Sequence, residues 1–139
     1  MLEAKYVYLK GQPLFNSLDE QKLKEVSSVM KILNVYRSES INYGDGDFSK
    51  ICFVVKGKVK IAEANDMGDE LIKDILTEGD FFGDLSLDGN PSQEEYAEAL
   101  TANTTICCFN VTDFRKILHS NPGMALKFAN QVKIERAHV

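Results

Sequence analysis

Closely spaced turn signals divide the middle of this chain into short segments. Clusters of glycine, asparagine and aspartate stand at 43–47, 65–69 and 77–80, and Gly57 separates two apolar runs. These residue types favour turns because they tolerate backbone angles that other residues avoid. Apolar and polar residues alternate in much of the sequence between the clusters, as expected for half-buried strands. The middle of the chain is therefore predicted to form several short antiparallel strands joined by tight turns.

A helical pattern precedes the strands. Ser17 and Glu20 have the spacing of a capping box, and an apolar stripe with helical period follows them. These features predict a helix over residues 18–30. Residues 1–16 carry scattered apolar side chains and receive no assignment.

Two further helices are predicted after the strands. Thr112 is expected to cap a helix that has Asp113 in its first turn, where a negative charge is favourable. Asn121 and Pro122 are typical of an N-cap and a first helical residue, so a last helix is expected to run to the chain end. The order of elements predicts an α+β fold, with the strands in a roll or sandwich between an N-terminal helix and C-terminal helices.

Length and charge limit the function. The 139 residues suit a single domain, 1–139, with a core of its own. The net charge of -5 offers no broad positive surface, so direct nucleic-acid binding is not expected. No apolar run approaches the length of a membrane span, and the N-terminus lacks the order of a signal peptide. We therefore expect a cytoplasmic protein without a membrane partner.

The cysteines and histidines do not predict a metal site. The chain has three cysteines, Cys52, Cys107 and Cys108. Their number is odd and two of them are adjacent, which favours a reducing compartment over a disulfide framework. Neighbouring residues of a strand point to opposite faces, so Cys107 and Cys108 are not expected to hold one ion, and one of them is expected to be a buried thiol. His119 and His138 are far apart, and each is interpreted as a surface or capping residue.

Two segments resemble the cyclic-nucleotide-binding domain family. The run INYGDGDFSKICFVVKGKVKI at 41–61 resembles the first half of the family's β-roll. GDFFGDLSL at 79–87 is similar to the family's ligand segment, G-D-x-F-G-E-hydrophobic-A-L. The resemblance covers 14–139 and is nearest to the sensor domain of Crp-Fnr transcription regulators. It implies an antiparallel β-roll of the double-stranded jelly-roll type.

The resemblance also implies a ligand site. In the family, a short helix after the Phe-Gly-Glu turn points its N–H groups at the cyclic phosphate, and the acidic residue accepts from the ribose hydroxyl. Phe82, Gly83 and Leu85 match this pattern. Asp84 replaces the usual glutamate, and Ser86 stands where alanine or glycine is usual.

The arginine that pairs with the phosphate in the family has no counterpart. Alignment on the next strand puts Gln93 at its position, followed by Glu94 and Glu95. A carboxylate about 6 Å from the phosphate costs about 3 kcal/mol at an effective dielectric constant of about 20. That is roughly a hundredfold in affinity. The resemblance thus implies a nucleotide-type ligand, whereas these residues predict weak or no binding of cyclic AMP.

Three functions follow from these observations. The first is a ligand-sensing regulatory module, either part of a transcription regulator or a stand-alone sensor. The second is a regulatory domain that acts in trans on a kinase, a channel or another enzyme. The third, a jelly-roll enzyme, is disfavoured because two distant histidines cannot build a cupin metal site and no nucleophile–base pair is recognisable. No cofactor is predicted, and the last helix is expected either to form a homodimer or to pack on its own roll.

Overall fold

The computed structural model describes the backbone of residues 2–137 and the side chains of residues 4–132. The helices are α1 (Leu2–Gly11), α2 (Glu20–Ser28), α3 (Val111–Ser120) and α4 (Pro122–Ala137), with short 3-10 turns at Pro13–Phe15 and Gly46–Phe48. The strands are β1 (Met30–Val35), β2 (Ser40–Ile41), β3 (Lys50–Lys56), β4 (Val59–Ala64), β5 (Glu70–Leu76), β6 (Phe81–Gly83), β7 (Glu95–Ala99) and β8 (Thr104–Asn110).

The strands form two antiparallel sheets of four. Their orders are β1-β8-β3-β6 and β2-β7-β4-β5, so the chain passes repeatedly from one sheet to the other. This arrangement confirms the predicted α+β class and the antiparallel β-roll with helices at both ends. Among the described helices, none has the length and apolar character needed to cross a membrane.

The first sheet carries a separate apolar cluster on each of its two faces. On one face the helices complete what we call the helix-side cluster: Leu9, Leu14, Phe15, Leu23, Val26, Met30, Ile51, Phe53, Phe81, Cys107, Phe109, Phe114, Leu118, Met124, Phe128 and Val132. On the other face the second sheet completes the roll-interior cluster: Ile41, Tyr43, Cys52, Val54, Val59, Ile61, Leu76, Phe82, Ala97, Ile106 and Cys108. Strand alternation divides the residues of β3 and β8 between the two clusters.

Helix boundaries differ from the sequence prediction at the N-terminal ends. Helix α2 begins at Glu20, and its N-cap is Asp19, whose side chain accepts from the Lys22 N–H at 2.9 Å. The capping box at Ser17 is therefore wrong, because the Leu18 N–H instead bonds to the Phe15 carbonyl and extends the preceding turn. The chain leaves this helix before residue 30, since Met30 already pairs in β1.

The predicted cap of the third helix is wrong, and for the last helix the predicted start is confirmed, although the Asn121 side chain bonds to Ile117 and Lys22. Asn110, rather than Thr112, caps α3, and its side chain accepts from the Thr112 N–H at 2.9 Å. Helix α4 begins at Pro122, as predicted. Its residues Met124, Phe128 and Val132 are buried in the helix-side cluster, so the face of α4 that they form packs on its own roll.

The cysteines differ from the sequence prediction in one respect. Cys52 and Cys108 lie directly opposite each other on β3 and β8, with 4.1 Å between their Cα atoms, and form a disulfide. The sequence favoured free thiols over a disulfide framework and did not foresee this pair, because the strand register brings together two cysteines that are 56 residues apart. Cys107 is a free buried thiol on the opposite face of the sheet, which confirms the predicted alternation. The cytoplasmic location stays a prediction.

Candidate ligand-binding cavity

A cavity of about 430 Å³ opens between the two sheets beside β4, β5 and β6. Residues of strands β4, β5 and β6 and of the chain from residue 84 to residue 95 line it. The residues that line it are Ile61, Lys73, Asp74, Leu76, Phe81, Phe82, Gly83, Asp84, Leu85, Ser86, Asn90, Pro91, Ser92 and Glu95. The roll-interior cluster therefore does not fill the space between the sheets completely.

The apolar wall of the cavity connects it with the helices. Ile61, Leu76 and Phe82 belong to the roll-interior cluster. Phe81 also lines the cavity, but it packs in the helix-side cluster, where its ring centroid lies 5.3 Å from that of Phe128 on α4. Phe81 therefore connects the cavity wall directly with the last helix.

A β-bulge in β5 places two charged residues at the cavity. Asp74 pairs with Ile61 and Ile72 pairs with Ala62, so Lys73 is an extra residue between two successive pairs. A bulge bends the strand and redirects the side chains beside it. As a result both Lys73 and Asp74 line the cavity, although strict alternation would put them on opposite faces.

The ammonium group of Lys73 is already held by carboxylates. Its Nζ lies 2.8 Å from an oxygen of Glu95 and 3.5 Å from an oxygen of Glu63. The hydrogen bond to Glu95 is the main reason why the pKa of Lys73 is raised, and Glu63 adds to the effect. Lys73 is thus firmly cationic, and its charge is compensated within the protein.

Tyr43 lies behind the same wall. Its side chain is only 4% exposed, and its ring centroid is 6.2 Å from that of Phe82. Burial, followed by the charge of the nearby Glu95 carboxylate and a hydrogen bond to it, raises the pKa of this hydroxyl well above its usual range. Glu95 therefore has the Lys73 ammonium at one side and a neutral phenol close by.

Asp84 is tied to the protein frame. It is 1% exposed, and its Oδ2 accepts from the Ser49 hydroxyl at 2.7 Å and from the Gly89 N–H at 2.8 Å. These bonds hold two chain segments together at the edge of the cavity. The predicted role of Asp84 as a ribose acceptor stays a prediction, and one of its oxygens is already engaged.

The segment after Gly83 does not form the short helix implied by the resemblance. Residues 84–94 contain turns and bends but no helical residue. Leu87 has a φ of 55° and Gly89 a φ of 76°, left-handed angles that stop a right-handed helix. The N–H groups of Asp84, Leu85 and Leu87 donate to carbonyls of Lys50, Gly83 and Asp84 at 2.7, 2.9 and 3.0 Å. These three donors do not point to an external anion.

The backbone requires a glycine at position 83. Its φ is 107°, and a Cβ built on it would collide with the carbonyl oxygen of Lys50. The glycine lets β6 approach β3 closely, and this approach fixes the start of the ligand segment. The geometry of the backbone therefore explains why this position matches the glycine of the family pattern.

The cavity includes five of the seven predicted site residues. Phe82, Gly83, Asp84, Leu85 and Ser86 line it. Gln93 and Glu94 are not among the lining residues, and the Gln93 amide donates to the carbonyls of Gly44 at 3.3 Å and Pro91 at 3.2 Å. Glu95 is the acid of this run that reaches the cavity. Lys73 and Asp74 were missed because the sequence shows no sign of the bulge.

Comparison with known proteins agrees with this geometry. The cyclic nucleotide-binding domain family matches residues 33–121. The "cAMP-activated global transcriptional regulator CRP" of Salmonella typhimurium is 26% identical over 102 residues, which are 72% of this chain and 48% of that protein. This chain belongs to the cyclic nucleotide-binding domain family, and it spans about half the length of the curated relatives it matches.

Solved structures share the fold. The sensor domain of the transcriptional regulator DNR from Pseudomonas aeruginosa has a TM-score of 0.77 and 18% identity, over 96% of this chain and 89% of that chain. The regulatory subunit of a cAMP-independent protein kinase A from Trypanosoma brucei has a TM-score of 0.72 and 16% identity, over 94% of this chain and 47% of that chain. At these identities the likeness establishes the fold.

Proposed function

We propose that this chain is a ligand-sensing regulatory module whose cavity binds a small molecule but binds cyclic AMP weakly or not at all. The observation that carries the proposal is the charge of the cavity wall. The charged residues that line the cavity are one lysine, Lys73, and three acids, Asp74, Asp84 and Glu95, and Glu95 holds the Lys73 ammonium at 2.8 Å. A cyclic phosphate placed there would meet mainly negative charge.

Two further features support weak binding of a cyclic phosphate. The N–H groups of Asp84, Leu85 and Leu87 are engaged with carbonyls of the chain itself. No arginine is among the residues that line the cavity. An anion in a partly buried site needs such donors or charges to replace its lost hydration. The same fold occurs in a kinase subunit described as cAMP-independent, so cyclic AMP is not a requirement of the roll.

The contact between Phe81 and Phe128 is the proposed route by which ligand binding in the cavity changes the last helix. A ligand that displaces Phe81 changes the packing of α4, because both rings lie in the helix-side cluster. A homodimer through α4 would use the face opposite Phe128, where Leu126 is 65% exposed. In the alternative, this face of α4 meets another protein, and the module regulates that partner in trans. In both cases the chain acts by binding rather than as an enzyme.

Calorimetric titration of the purified chain with cyclic AMP and cyclic GMP tests the proposal. We expect dissociation constants above about 1 mM, because a single misplaced carboxylate already weakens phosphate binding roughly a hundredfold. A domain of known cyclic AMP affinity serves as the positive control. A micromolar dissociation constant for cyclic AMP would contradict the weak-binding part of the proposal.

A further inference from the structure

Strand β5 is an edge strand with a run of exposed apolar side chains. The second sheet has the order β2-β7-β4-β5, so β4 pairs with β5 on one side and no strand of the described chain pairs with it on the other. Leu71, Ile72 and Ile75 are 65%, 52% and 46% exposed, and Met67 in the preceding turn is 86% exposed. Charges, prolines and bulges usually keep an edge strand from pairing with another chain. An open edge that exposes this much apolar surface indicates a docking surface.

The bulge in β5 does not hide these side chains but groups two of them. Ile72 pairs with Ala62 and Ile75 pairs with Lys60, and residues directly opposite each other share a face of the sheet. Residues three positions apart lie on opposite faces of a regular strand, and the extra residue, Lys73, brings these two to the same face. Neither isoleucine belongs to the roll-interior cluster. Both therefore lie side by side on the outer face of the sheet.

The backbone of β5 has a donor at the open edge. Bonded and non-bonded residue pairs alternate along an antiparallel ladder. The Asn65 N–H donates to the Asp69 carbonyl at 2.9 Å, and counting from this bond makes Lys60 and Ile75 a non-bonded pair. The Ile75 N–H therefore points to the open side, where Oδ1 of Asp74 accepts it at 2.8 Å. A strand added at this edge replaces the carboxylate with a backbone carbonyl.

A second copy of β5 matches this edge in one antiparallel register. With Ile72 opposite Ile75 of the second copy, the symmetric pair covers both isoleucines of both copies. Registers that place Ile72 or Ile75 opposite itself leave the other isoleucine opposite Asp69 or Glu78, respectively.

The charges of β5 fit the same register. It places Lys73 opposite Asp74 of the second copy, once on each side of the symmetry axis. Opposite charges at facing positions favour strand pairing. The apolar and the charged residues of β5 thus select the same partner, a second copy of this chain.

We infer that β5 is a homodimer interface, in which the β5 strands of two copies pair antiparallel with Ile72 of each copy opposite Ile75 of the other. The twofold symmetry makes both copies use the same strand, so the pairing closes and does not continue into a fibre. Two edge strands of seven residues form a small contact, and interfaces below about 1,200 Å² are weak and transient. The inference goes beyond the proposed function, because it depends neither on a cavity ligand nor on α4, which packs on the first sheet.

Sedimentation velocity of the purified chain measures the association. We expect the weight-average mass to rise from that of the monomer toward twice that value between about 10 µM and about 1 mM, the range of a weak interface. A chain that stays monomeric at about 1 mM would overturn the inference.

Single charges at the two isoleucines locate the interface. Ile72→Glu and Ile75→Lys should each weaken the dimer at least about tenfold, because each variant places an unpaired charge against an isoleucine. Val7→Glu is the matched control, since Val7 is an apolar residue of α1 that is 66% exposed. This control should leave the association unchanged. If Ile72→Glu and Ile75→Lys associate as the unmodified chain does, β5 is not the interface.

The double variant Ile72→Glu/Ile75→Lys tests the register. It places a glutamate opposite a lysine at both symmetric positions, so it should dimerise at least about tenfold more tightly than either single variant. Such a recovery cannot result from a loss of folding or from a general effect of charge. A double variant that associates no more tightly than the single variants would refute the proposed pairing.

Cross-linking measures the register in a second way. A mixture of Ile72→Cys and Ile75→Cys chains should form disulfide-linked dimers with oxidised glutathione, because the opposed Cα atoms lie about 5 Å apart. Either variant alone should not, because its cysteine lies about 10 Å along the strand from the same position of the second copy. Equal cross-linking of one variant alone and of the mixture would contradict the register.

A Leu126→Glu variant distinguishes this interface from the exposed face of α4. We expect its dimer to form as in the unmodified chain. If Leu126→Glu abolishes the dimer and Ile72→Glu leaves it intact, the second copy docks on α4 and the inference is overturned. That result would leave the calorimetric test of the proposed function unaffected, because that test measures binding in the cavity.

Discussion

The helix-side and roll-interior clusters cover opposite faces of the same sheet but are filled differently. The helix-side cluster contains Phe15, Phe53, Phe81, Phe109, Phe114 and Phe128, whose ring centroids lie 5.1–6.5 Å apart in the observed pairs. The roll-interior cluster has one aromatic pair, Tyr43 and Phe82, and borders the cavity. Dense packing on one face can stabilise the fold while the other face keeps space and charge for binding.

This contrast indicates a division of labour within a small domain. Rings that touch other rings on several sides lose many contacts when they are truncated, whereas a ring beside a cavity has fewer contacts to lose. Phe81 is the exception, because it lines the cavity and also contacts Phe114 and Phe128. Phe81 thus connects the cavity wall with the helix-side cluster.

The largest effect is expected for Phe114→Ala. Phe114 is fully buried and contacts the rings of Phe15, Phe81, Phe109 and Phe128. Its truncation should lower the free energy of unfolding by about 3–5 kcal/mol. Urea denaturation followed by circular dichroism measures the loss.

The matched variant for Phe114→Ala is Phe82→Ala. Phe82 is equally buried but makes one ring contact and borders the cavity. We expect this variant to lose about 3 kcal/mol or less. Equal losses in the two variants would show that the roll interior is packed as tightly as the helix side and would contradict the comparison.

A smaller effect is expected for Asp84→Ala. The change leaves the Ser49 hydroxyl and the Gly89 N–H without the oxygen that they share at 2.7 and 2.8 Å. The loss of a buried acceptor should cost about 2–3 kcal/mol in the free energy of unfolding. Asp74→Ala is the control, because Asp74 is partly exposed and its one recorded hydrogen bond is to the Ile75 N–H. If both variants were equally stable, Asp84 would be available to a ligand and would not be structural.

The fold was predictable because its signals are local. The turns around Gly44, Gly57 and Gly79 need left-handed backbone angles, with φ values of 72°, 92° and 92°, and these glycines are visible in the sequence. Helix α1 was missed because its apolar residues do not form a single stripe, so nothing marks a buried face. The start of α2 was misplaced because Ser17 and Asp19 are both good caps, and the contact that decides between them lies in the preceding turn.

The site was predictable only in part because its polar end depends on pairing across strands. Lys73 reaches the cavity through a bulge that is defined by the register of β4 and β5, and the sequence of β5 reads as an ordinary alternating strand. Likewise, Ser49 is 35 residues from Asp84, its partner. The alignment that selected Gln93 assumed the spacing of the family, whereas the loop here folds on itself through the carbonyls of Gly44 and Pro91.

The smallest effect concerns the reactivity of Cys107, and it distinguishes the two faces chemically. Cys107 lies in the helix-side cluster, where burial raises the pKa of its thiol from 9.0 to about 12. Since the thiolate is the reactive form, native protein at pH 8 should take up no iodoacetamide, and its labelling should rise only as the pH approaches 12. Because the pKa of this thiol is raised in the folded protein, the stability that the protonated Cys107 contributes is complete below pH 9 and is lost as the pH rises toward 12.

A count of alkylated cysteines tests the disulfide on the other face. Mass spectrometry should find one adduct after denaturation without reductant, because Cys52 and Cys108 are paired, and three adducts after reduction. Labelling of the native protein would contradict the dense packing of the helix-side face, and three adducts without reductant would contradict the disulfide across the roll interior.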